Sequence, residues 1–360
     1  MSKRISFVLP GIPGVPVGGI KIAFEYANRL AARGYKVTLY FWLIDDAGRI
    51  GQTRVPLFVK RGIKQALCFV HPRWFKLDSS IEKRGIYTID DASILDGDYI
   101  VATAVETSRP ISCLSPSKGK KYYLIQGFEN WGLSDEEVRA TYKLGMTNIV
   151  VSNWLKKLVS EESDAYLISN PVDTSVFYNE HTERQKNTVA VLYHESAEKG
   201  FRDAWSALTI VKKQIPDLYV QAFGVYKNPG FPSWVHYTKH ATQSQLRSIY
   251  NSCEAMVCAS RFEGFGLTGL EALACGCPLI STDYIGVHEY AVDGENALLS
   301  PVQNPELLAE NIVRVLNNES LRLSLGHEGE MRAQTLSWDS AVDTFINLLN
   351  MSDSNASVNS

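Results

Sequence analysis

Residues 260–282, SRFEGFGLTGLEALACGCPLIST, join the end of an apolar run to a glycine-bearing turn and a helix-forming segment. The preceding AMVCAS is typical of a buried strand, and Gly264 and Gly266 let the backbone turn tightly. The pattern predicts a helix that begins near Leu267, where the first N–H groups lack an intrahelical partner and carry partial positive charge. Such a helix start can bind a phosphate or diphosphate.

Two carboxylates, Glu263 and Glu271, flank this turn at a spacing of eight positions. Carboxylates only accept hydrogen bonds, so they suit hydroxyl donors rather than an anion. Glu271 lies about one turn into the predicted helix and could reach a ribose, while Glu263 could reach a sugar beyond the diphosphate. The pair therefore favours a nucleotide sugar, with ordinary acids on a capped surface helix as the alternative.

The chain on either side alternates between strand and helix patterns. The chain begins with a βαβ pattern, which predicts a parallel sheet. Its parts are the strand-like RISFVLP, the turn-rich GIPGVPVGG, the helical IKIAFEYANRLAARG and the strand-like YKVTLYFW. A second alternating set begins at NTVAVLYH, and ISNPVDTSVF between the sets is interpreted as a linker. We expect an α/β fold of two Rossmann-like doubly wound domains, 1–170 and 171–337, facing across a cleft. A helix over 338–350 is expected to pack back on the first domain, followed by a disordered tail, 351–360.

The element E-x-F-G-x-x-x-x-E formed by residues 263–271 resembles that of glycosyltransferase family 4, which are retaining enzymes of the GT-B fold. Four further segments also resemble this family: the Gly-Gly pair before the first helix, and the stretches VVSNWLKKLV, ISNPVDTSVF and HESAEKGFRDA. The similarity therefore covers nearly the whole chain. The chain is similar to bacterial polysaccharide rhamnosyl-, mannosyl- and glucosyltransferases. The resemblance implies retaining transfer of a hexose from a nucleoside diphosphate to a glycan or lipid-linked hydroxyl, in bacterial surface polysaccharide synthesis.

The resemblance also implies roles for individual residues. The first glutamate contacts the donor sugar and the second the ribose, while backbone amides at the helix start hold the diphosphate. A Lys-Gly pair adds a cation, but His194 stands where the family has an arginine ahead of that lysine. Lys199 and Glu263 are assigned to catalysis. The residues assigned to donor binding are Gly18, Gly19, His194, Lys199, Glu263, Phe265, Gly266, Leu267, Thr268 and Glu271.

The segment YLIQGFENWG ends another predicted strand. Gln126, Glu129 and Asn130 offer hydrogen bonds and Trp131 offers a flat apolar surface, both of which suit sugars. We assign the three polar residues to the acceptor side. A loop packed by its own aromatic side chains is the alternative.

Metal and cofactor chemistry is not expected. Asp96-Gly-Asp98 precedes the strand YIVATA, at the wrong end for the predicted site, and is typical of a turn. The six cysteines show no disulfide framework and no metal-binding spacing. The nucleotide sugar is a substrate, so no cofactor or metal is predicted.

Charge and hydropathy point to the location and partners. No apolar run approaches the roughly 18 residues of a membrane span, and the N-terminus lacks a signal-peptide pattern, so a cytoplasmic location is expected.

Residues 1–170 hold 23 Lys+Arg and 17 Asp+Glu, whereas residues 171–360 hold 13 and 22. The stretch 54–77 contains six cations, no acid and four large aromatic residues. It indicates peripheral contact with an anionic membrane, or alternatively a solvated face with its aromatic residues in the core; no nucleic acid partner is expected.

Two other functions are compatible with these patterns. One is a sugar-nucleotide epimerase on the GT-B fold, which would turn over the donor without an acceptor. The other is a catalytically silent protein that binds a nucleotide sugar, an alternative kept open by His194.

Overall fold

The computed structural model describes residues 2–43 and 57–357. The chain divides into two compact units: unit 1 takes its residues from Met1–Ile168 and Val342–Ser360, and unit 2 from Ser169–Ala341. Within the described ranges, none of the helices combines the length and the apolar character needed to cross a bilayer.

Unit 1 is built on a parallel sheet in the order β3-β2-β1-β4-β5-β6-β7. Its strands are β1 (Arg4–Leu9), β2 (Lys36–Trp42), β3 (Glu82–Ile86), β4 (Tyr99–Ala102), β5 (Lys120–Ile125), β6 (Thr147–Val150) and β7 (Ala165–Leu167). The central strands are buried along most of their length, because helices cover both faces of a doubly wound sheet. This is why they appear in the sequence as continuous apolar runs.

The helices of unit 1 include the last helix of the chain. They are α1 (Gly18–Ala32), α2 (Leu57–Val70), α3 (Val105–Ser112), α4 (Asp135–Thr141), α5 (Asn153–Ser160) and, from residue 342 onward, α11 (Trp338–Ser357). Phe345 of α11 is buried, and its ring packs against Phe7 of β1 and Tyr26 of α1 at centroid distances of 6.5 and 4.9 Å. The C-terminal helix therefore contributes to the core of unit 1.

Unit 2 is built on a second parallel sheet in the order β10-β9-β8-β11-β12-β13. Its strands are β8 (Gln185–Tyr193), β9 (Tyr219–Gly224), β10 (Val235–Lys239), β11 (Cys253–Cys258), β12 (Leu279–Thr282) and β13 (Ala297–Ser300). Its helices are α6 (Phe201–Gln214), α7 (Gln243–Ser252), α8 (Leu267–Ala274), α9 (Pro305–Leu316) and α10 (Glu319–Thr335). One core packs β8 and β11 against the apolar faces of α6 and α9.

Helix starts follow local sequence signals where those signals exist. Ser134 and Glu137 form the predicted capping box of α4: the Glu137 N–H donates to the Ser134 hydroxyl at 3.2 Å, and the Ser134 N–H donates to the Glu137 carboxylate at 2.8 Å. The C-terminal end differs from expectation. Helix α11 continues to Ser357, into the segment 351–360 for which the sequence predicts disorder, because extending a formed helix costs far less than nucleating one.

A glycine between β8 and α6 allows the loops after the two central strands of unit 2 to approach each other closely. Gly200 has a left-handed backbone (φ 61°), and a Cβ at this position would lie 1.7 Å from the carbonyl oxygen of Ala259, which follows β11. Only a residue without a side chain allows these two loops to approach so closely.

Gly200→Ala is therefore expected to lower the free energy of unfolding by about 2–4 kcal/mol, from left-handed strain and from the clash with Ala259. Gly230→Ala is the matched control, since Gly230 also has a positive φ (92°) but has no atom within 4 Å of its would-be Cβ. The control should lose only about 1 kcal/mol. Urea unfolding of both variants checks this, and equal losses would contradict the close approach.

Candidate functional site

The carboxyl ends of β8 and β11 form the switch point of the unit 2 sheet. The chain runs from β8 to β9 and β10 on one side, and from β11 to β12 and β13 on the other. The loops that follow β8 and β11 therefore diverge, and open parallel sheets bind their ligands in the crevice between such loops. Lys199 follows β8 and Glu263 follows β11, so the topology brings two of the predicted residues to one place.

Lys199 and Glu263 contact each other directly. The Nζ atom of Lys199 lies 2.8 Å from Oε2 of Glu263. The Ser260 hydroxyl donates to the other carboxylate oxygen, Oε1, at 2.5 Å. The side chain of Glu263 is 10% exposed and that of Lys199 is 31% exposed. The cation assigned to the diphosphate and the carboxylate assigned to the sugar are thus paired, and a phosphate would compete with Glu263 for Lys199.

Helix α8 presents its N-terminus in the same loop. Gly266 caps the helix with a left-handed backbone, φ 96° and ψ 62°, which favours glycine. The helix begins at Leu267, as the sequence predicts. The N–H groups of Leu267 and Thr268 stand at this start, where no earlier helical turn supplies acceptors. Their partial positive charge suits an anion.

Phe265 and Glu271 lie inside the protein rather than at its surface. The Phe265 side chain is 3% exposed and packs against the ring of Tyr290, with centroids 5.4 Å apart. Its ring anchors the turn by burying apolar surface, and the assignment of Phe265 to donor binding stays a prediction. Glu271 is 7% exposed and lies one turn into α8, and its assignment to a ribose stays a prediction.

The hydrogen bonds of His194 indicate a neutral ring rather than a cation. Its Nδ1 accepts a hydrogen bond from the Ser196 N–H at 3.0 Å, which places the proton of the neutral ring on Nε2. Nε2 lies 3.3 Å from the Tyr226 hydroxyl. Burial, followed by the nearby charge of Lys199, lowers the pKa of His194. A neutral imidazole at this position can donate a hydrogen bond to a ligand but adds no positive charge.

A cavity of about 390 Å³ lies beside the β8 loop. Its wall includes Arg261, whose guanidinium donates to both carboxylate oxygens of Asp203 at 3.0 and 3.2 Å. The Arg261 N–H also donates to the Glu198 carbonyl at 2.7 Å, which ties the β11 loop to the β8 loop. The residues that line the cavity are Tyr193, His194, Glu195, Ser196, Ala197, Gly200, Phe201, Arg202 and Arg261.

The unit 1 sheet has its own switch point, between β1 and β4. Gly18 and Gly19 are the first residues of α1, which follows β1. The Gln126 side chain, at the end of β5, donates through Nε2 to the Gly19 carbonyl at 2.7 Å, and a Cβ at Gly19 would meet that same nitrogen at 3.2 Å. The structure thus places Gln126 against the two glycines, and their assignments to acceptor and donor stay predictions.

The other two residues assigned to the acceptor side, Glu129 and Asn130, form hydrogen bonds with different helices. Glu129 accepts a hydrogen bond from the Val105 N–H at the start of α3, at 2.7 Å through Oε2. Burial raises the pKa of Glu129 to about 7, partly offset by this hydrogen bond. Asn130 is exposed, and its amide donates to Asp135 of α4 at 3.2 Å. Glu129 lies within the switch region, whereas Asn130 is turned towards α4.

The carboxylates of the Asp96-Gly97-Asp98 segment bond to other segments of the chain. Asp96 accepts hydrogen bonds from the Lys118 ammonium and the Ser117 hydroxyl, each at 2.8 Å. Asp98 accepts from the Arg4 N–H at 2.7 Å. Across residues 2–43 and 57–357 no group of three or more His, Cys, Asp or Glu side chains could hold a metal ion. The absence of a metal requirement stays a prediction.

A family model matches residues 178–332, the segment that carries β8 to β13 and both loops of the switch point. That family is glycosyl transferases group 1. The Lys199–Glu263 pair and the start of α8 lie inside the matched segment. The finer assignment to family 4 stays a prediction.

Two curated relatives resemble parts of the chain. An uncharacterized glycosyltransferase of Methanocaldococcus jannaschii is 31% identical over 214 residues, which are 57% of this chain and 60% of the relative. The poly(glycerol-phosphate) alpha-glucosyltransferase of Bacillus subtilis is 24% identical over 246 residues, 64% of this chain and 36% of that protein. The matches span less than two thirds of the length of either relative.

Solved structures resemble almost the whole chain. HepE of Anabaena, in complex with UDP and glucose, superimposes with a TM-score of 0.73 at 13% identity, covering 97% of this chain and 100% of that chain. A similarity at this identity concerns the fold. The predicted class, α/β with two Rossmann-like domains of the GT-B type, is confirmed.

Sequence reasoning missed Arg261 and Tyr290. Arg261 precedes Glu263 by two positions, so its place in the same loop was a signal that could have been used. Tyr290 has no such signal, because it reaches the turn from a different loop, after β12.

Glu129→Gln is expected to raise the free energy of unfolding at pH 8 by roughly 1–3 kcal/mol and to leave it unchanged near pH 4. The pKa of Glu129 is raised to about 7 from an ordinary 4.5. Between pH 4.5 and about pH 7, the Glu129 carboxyl is already ionised in the unfolded chain but still protonated in the folded one. The free energy of unfolding of the wild type therefore falls as the pH rises through this window. Glutamine still accepts from Val105 but cannot ionise.

Urea unfolding between pH 4 and pH 8 measures this effect. Glu136→Gln, at an exposed position on α4, is the matched control and should keep the wild-type profile. A Glu129→Gln profile parallel to the wild type would show that folding does not shift the pKa of Glu129.

Proposed function

We propose that the chain is a retaining glycosyltransferase. It moves a hexose from a nucleoside diphosphate to a hydroxyl of a glycan or lipid-linked acceptor, in the synthesis of a bacterial surface polysaccharide. The observation that carries the proposal is the convergence of Lys199, Glu263 and the start of α8 at one switch point. The family match over residues 178–332 and the relative named for glucosyl transfer support it.

The diphosphate is the leaving group, so the site must stabilise the negative charge that develops on it. The Lys199 ammonium and the N–H groups that open α8 supply positive charge in fixed positions, and such preorganised groups stabilise a transition state strongly. They take the place that a metal ion has in other phosphate chemistry, so the proposal includes no metal and no cofactor. His194 contributes a neutral hydrogen bond.

Glu263 changes partner during binding in this scheme. When the diphosphate binds Lys199, the carboxylate of Glu263 becomes available to the hydroxyl groups of the donor sugar, held in place by the Ser260 hydroxyl. Hydrogen bonds that strengthen as the sugar acquires oxocarbenium character favour the transition state. Attack from the same face follows from the family resemblance, and no protein nucleophile is assigned.

Helix α2 and the residues after it suggest where the acceptor comes from. Ile63, Leu67 and Val70 are exposed at helical spacing on α2, and Phe69 beside them is 70% exposed. The stretch 54–77 contains no acidic residue. An apolar face with cations around it suits an anionic membrane surface, which would present a lipid-linked acceptor.

The aromatic residues of this stretch divide between core and surface. Trp74 and Phe75 pack on Phe24 of α1, with ring centroids at 5.8 and 5.4 Å. Phe69 is turned outwards. The side chain of Phe58 lies outside the described side chains, as do residues 54–56. The membrane contact is therefore proposed through α2 and not through Trp74 and Phe75.

Lys199→Ala is expected to lower kcat by about 100-fold while preserving the fold, as for the loss of one charge-stabilising donor. The assay first ranks UDP, GDP, dTDP and their sugars by thermal shift with the wild type, without metal. It then follows donor consumption with and without acceptor glycans. Lys213→Ala, an exposed lysine on α6, is the matched control and should keep full activity.

Several outcomes would contradict this proposal. A well-folded Lys199→Ala variant with wild-type turnover would remove the leaving-group role. Donor turnover without any acceptor would favour an epimerase. Donor binding with no turnover of any kind would favour a silent binding protein.

Phe69→Ser is expected to weaken binding to anionic vesicles by about tenfold, since it removes an exposed apolar group of the membrane-facing surface. Flotation at low salt with phosphatidylglycerol-containing vesicles measures the binding, with pure phosphatidylcholine vesicles for comparison. Leu323→Ser, at a similarly exposed apolar position of α10, is the control. No flotation of the wild type with anionic vesicles would exclude the membrane contact.

A further inference from the structure

Two buried tyrosines lie beneath the turn that opens α8. Tyr284 and Tyr290 follow β12 and are each 1% exposed. The Tyr290 hydroxyl donates a hydrogen bond to the carbonyl oxygen of Gly266 at 2.7 Å. The hydroxyl oxygens of the two tyrosines are 2.6 Å apart. Because Tyr290 uses its proton on Gly266, Tyr284 must donate to Tyr290, and the chain of hydrogen bonds has one direction.

The Gly266 carbonyl accepts hydrogen bonds from the Tyr290 hydroxyl and, more weakly, from the Gly269 N–H at 3.2 Å, and these two bonds together fix where the next N–H group points. The peptide bond between Gly266 and Leu267 is planar, and in the trans form its C=O and N–H point in opposite directions. Tyr290 holds the C=O towards the protein interior. The Leu267 N–H on the same peptide is therefore turned away from the tyrosines.

Packing gives the turn little freedom to reorient. A Cβ at Gly266 would lie 2.1 Å from the Tyr284 hydroxyl and 2.9 Å from the Tyr290 hydroxyl. On the other side, a Cβ at Gly286 would lie 2.5 Å from the Glu263 carbonyl oxygen. The turn is thus seated directly on the segment after β12.

The tyrosine segment is itself anchored. The Asn296 amide donates to the Tyr290 carbonyl at 2.8 Å, and Arg332 donates to the Glu289 carbonyl at 2.7 Å. Burial raises the pKa of both phenols well above the usual value, so each remains a protonated donor at neutral pH. An anchored donor of this kind can hold the turn in one orientation.

We propose that Tyr290, oriented by Tyr284, is a positioning residue that holds the Gly266–Leu267 peptide with its N–H directed at the donor diphosphate. The inference rests on the proposed function, since it takes the nucleoside diphosphate as the ligand. It adds two residues outside the turn to the machinery of the site. Neither needs to touch the ligand.

Tyr290→Phe removes only the hydroxyl that holds Gly266. Binding of UDP, GDP and dTDP is measured by calorimetry beside the matching nucleosides, which lack the diphosphate. The diphosphate affinity is expected to fall about tenfold while the nucleoside affinity stays within about twofold, because one amide donor loses its alignment. Tyr284→Phe keeps the Tyr290 hydrogen bond to Gly266 but removes the hydroxyl that orients Tyr290. The diphosphate affinity is therefore expected to fall by about two- to threefold, with the nucleoside affinity unchanged.

Tyr250→Phe is the matched control. Tyr250 is buried in unit 2, and its hydroxyl has no hydrogen-bond partner among the described residues. Removing the Tyr250 hydroxyl should change neither the diphosphate affinity nor the nucleoside affinity. A purely structural role of Tyr290 would lower the melting temperature without changing the ratio of diphosphate to nucleoside affinity.

The outcomes separate the two proposals. If the wild type binds none of the three nucleoside diphosphates, the proposed function fails and the inference fails with it. If the wild type binds one of them and Tyr290→Phe keeps the same affinity ratio, only the inference is overturned. If Tyr290→Phe does not fold, Tyr284→Phe decides: an unchanged ratio overturns the inference and a selective loss supports it.

Discussion

Strands β8 and β11 lie side by side in parallel, with Ala255 opposite Val189 and Val257 opposite Val191. Parallel strands end at the same edge of a sheet, and these two send the chain in opposite directions. The unit 2 part of the candidate site follows from this pairing, since Lys199, Glu263 and the start of α8 all lie in the two loops beyond it. Gly200 allows the loops to touch, and the Arg261–Glu198 hydrogen bond joins them.

The electrostatics of the site are local rather than global. Residues 171–360 carry 13 Lys+Arg against 22 Asp+Glu, so the second half of the chain does not attract anions as a whole. Lys199 is compensated by Glu263, and His194 is neutral. In the proposed function, positive potential for the diphosphate comes from one exchangeable ion pair and from oriented backbone amides. The orientation of these amides therefore matters as much for anion binding as formal charge does. Tyr284 and Tyr290 are important because they help to fix that orientation.

Sequence patterns predicted the parts of the fold that depend on local chemistry. Periodic apolar runs predicted the alternating strands and helices, glycines predicted the start of α8, and Ser134 with Glu137 predicted the start of α4. The patterns failed where local preference and structure disagree. Helix α3 contains Pro110 and its N-cap residue, Ala104, has no polar side chain that could cap the helix, and β3, EKRGI, lacks an apolar run. These elements form because neighbouring strands and helices stabilise them.

The sequence by itself determined the residue types of the site: two glutamates around a turn, a Lys-Gly pair and glycines where the backbone must bend. Spacing along the chain carries this information because a turn and the helix after it are local structures. Only the tertiary structure decided which of these side chains meet, that Lys199 pairs with Glu263 and that Phe265 is buried. It also brought Tyr290 under Gly266 and lowered the pKa of His194. Such contacts join segments far apart in sequence, and burial and hydrogen-bond geometry exist only once those segments are packed.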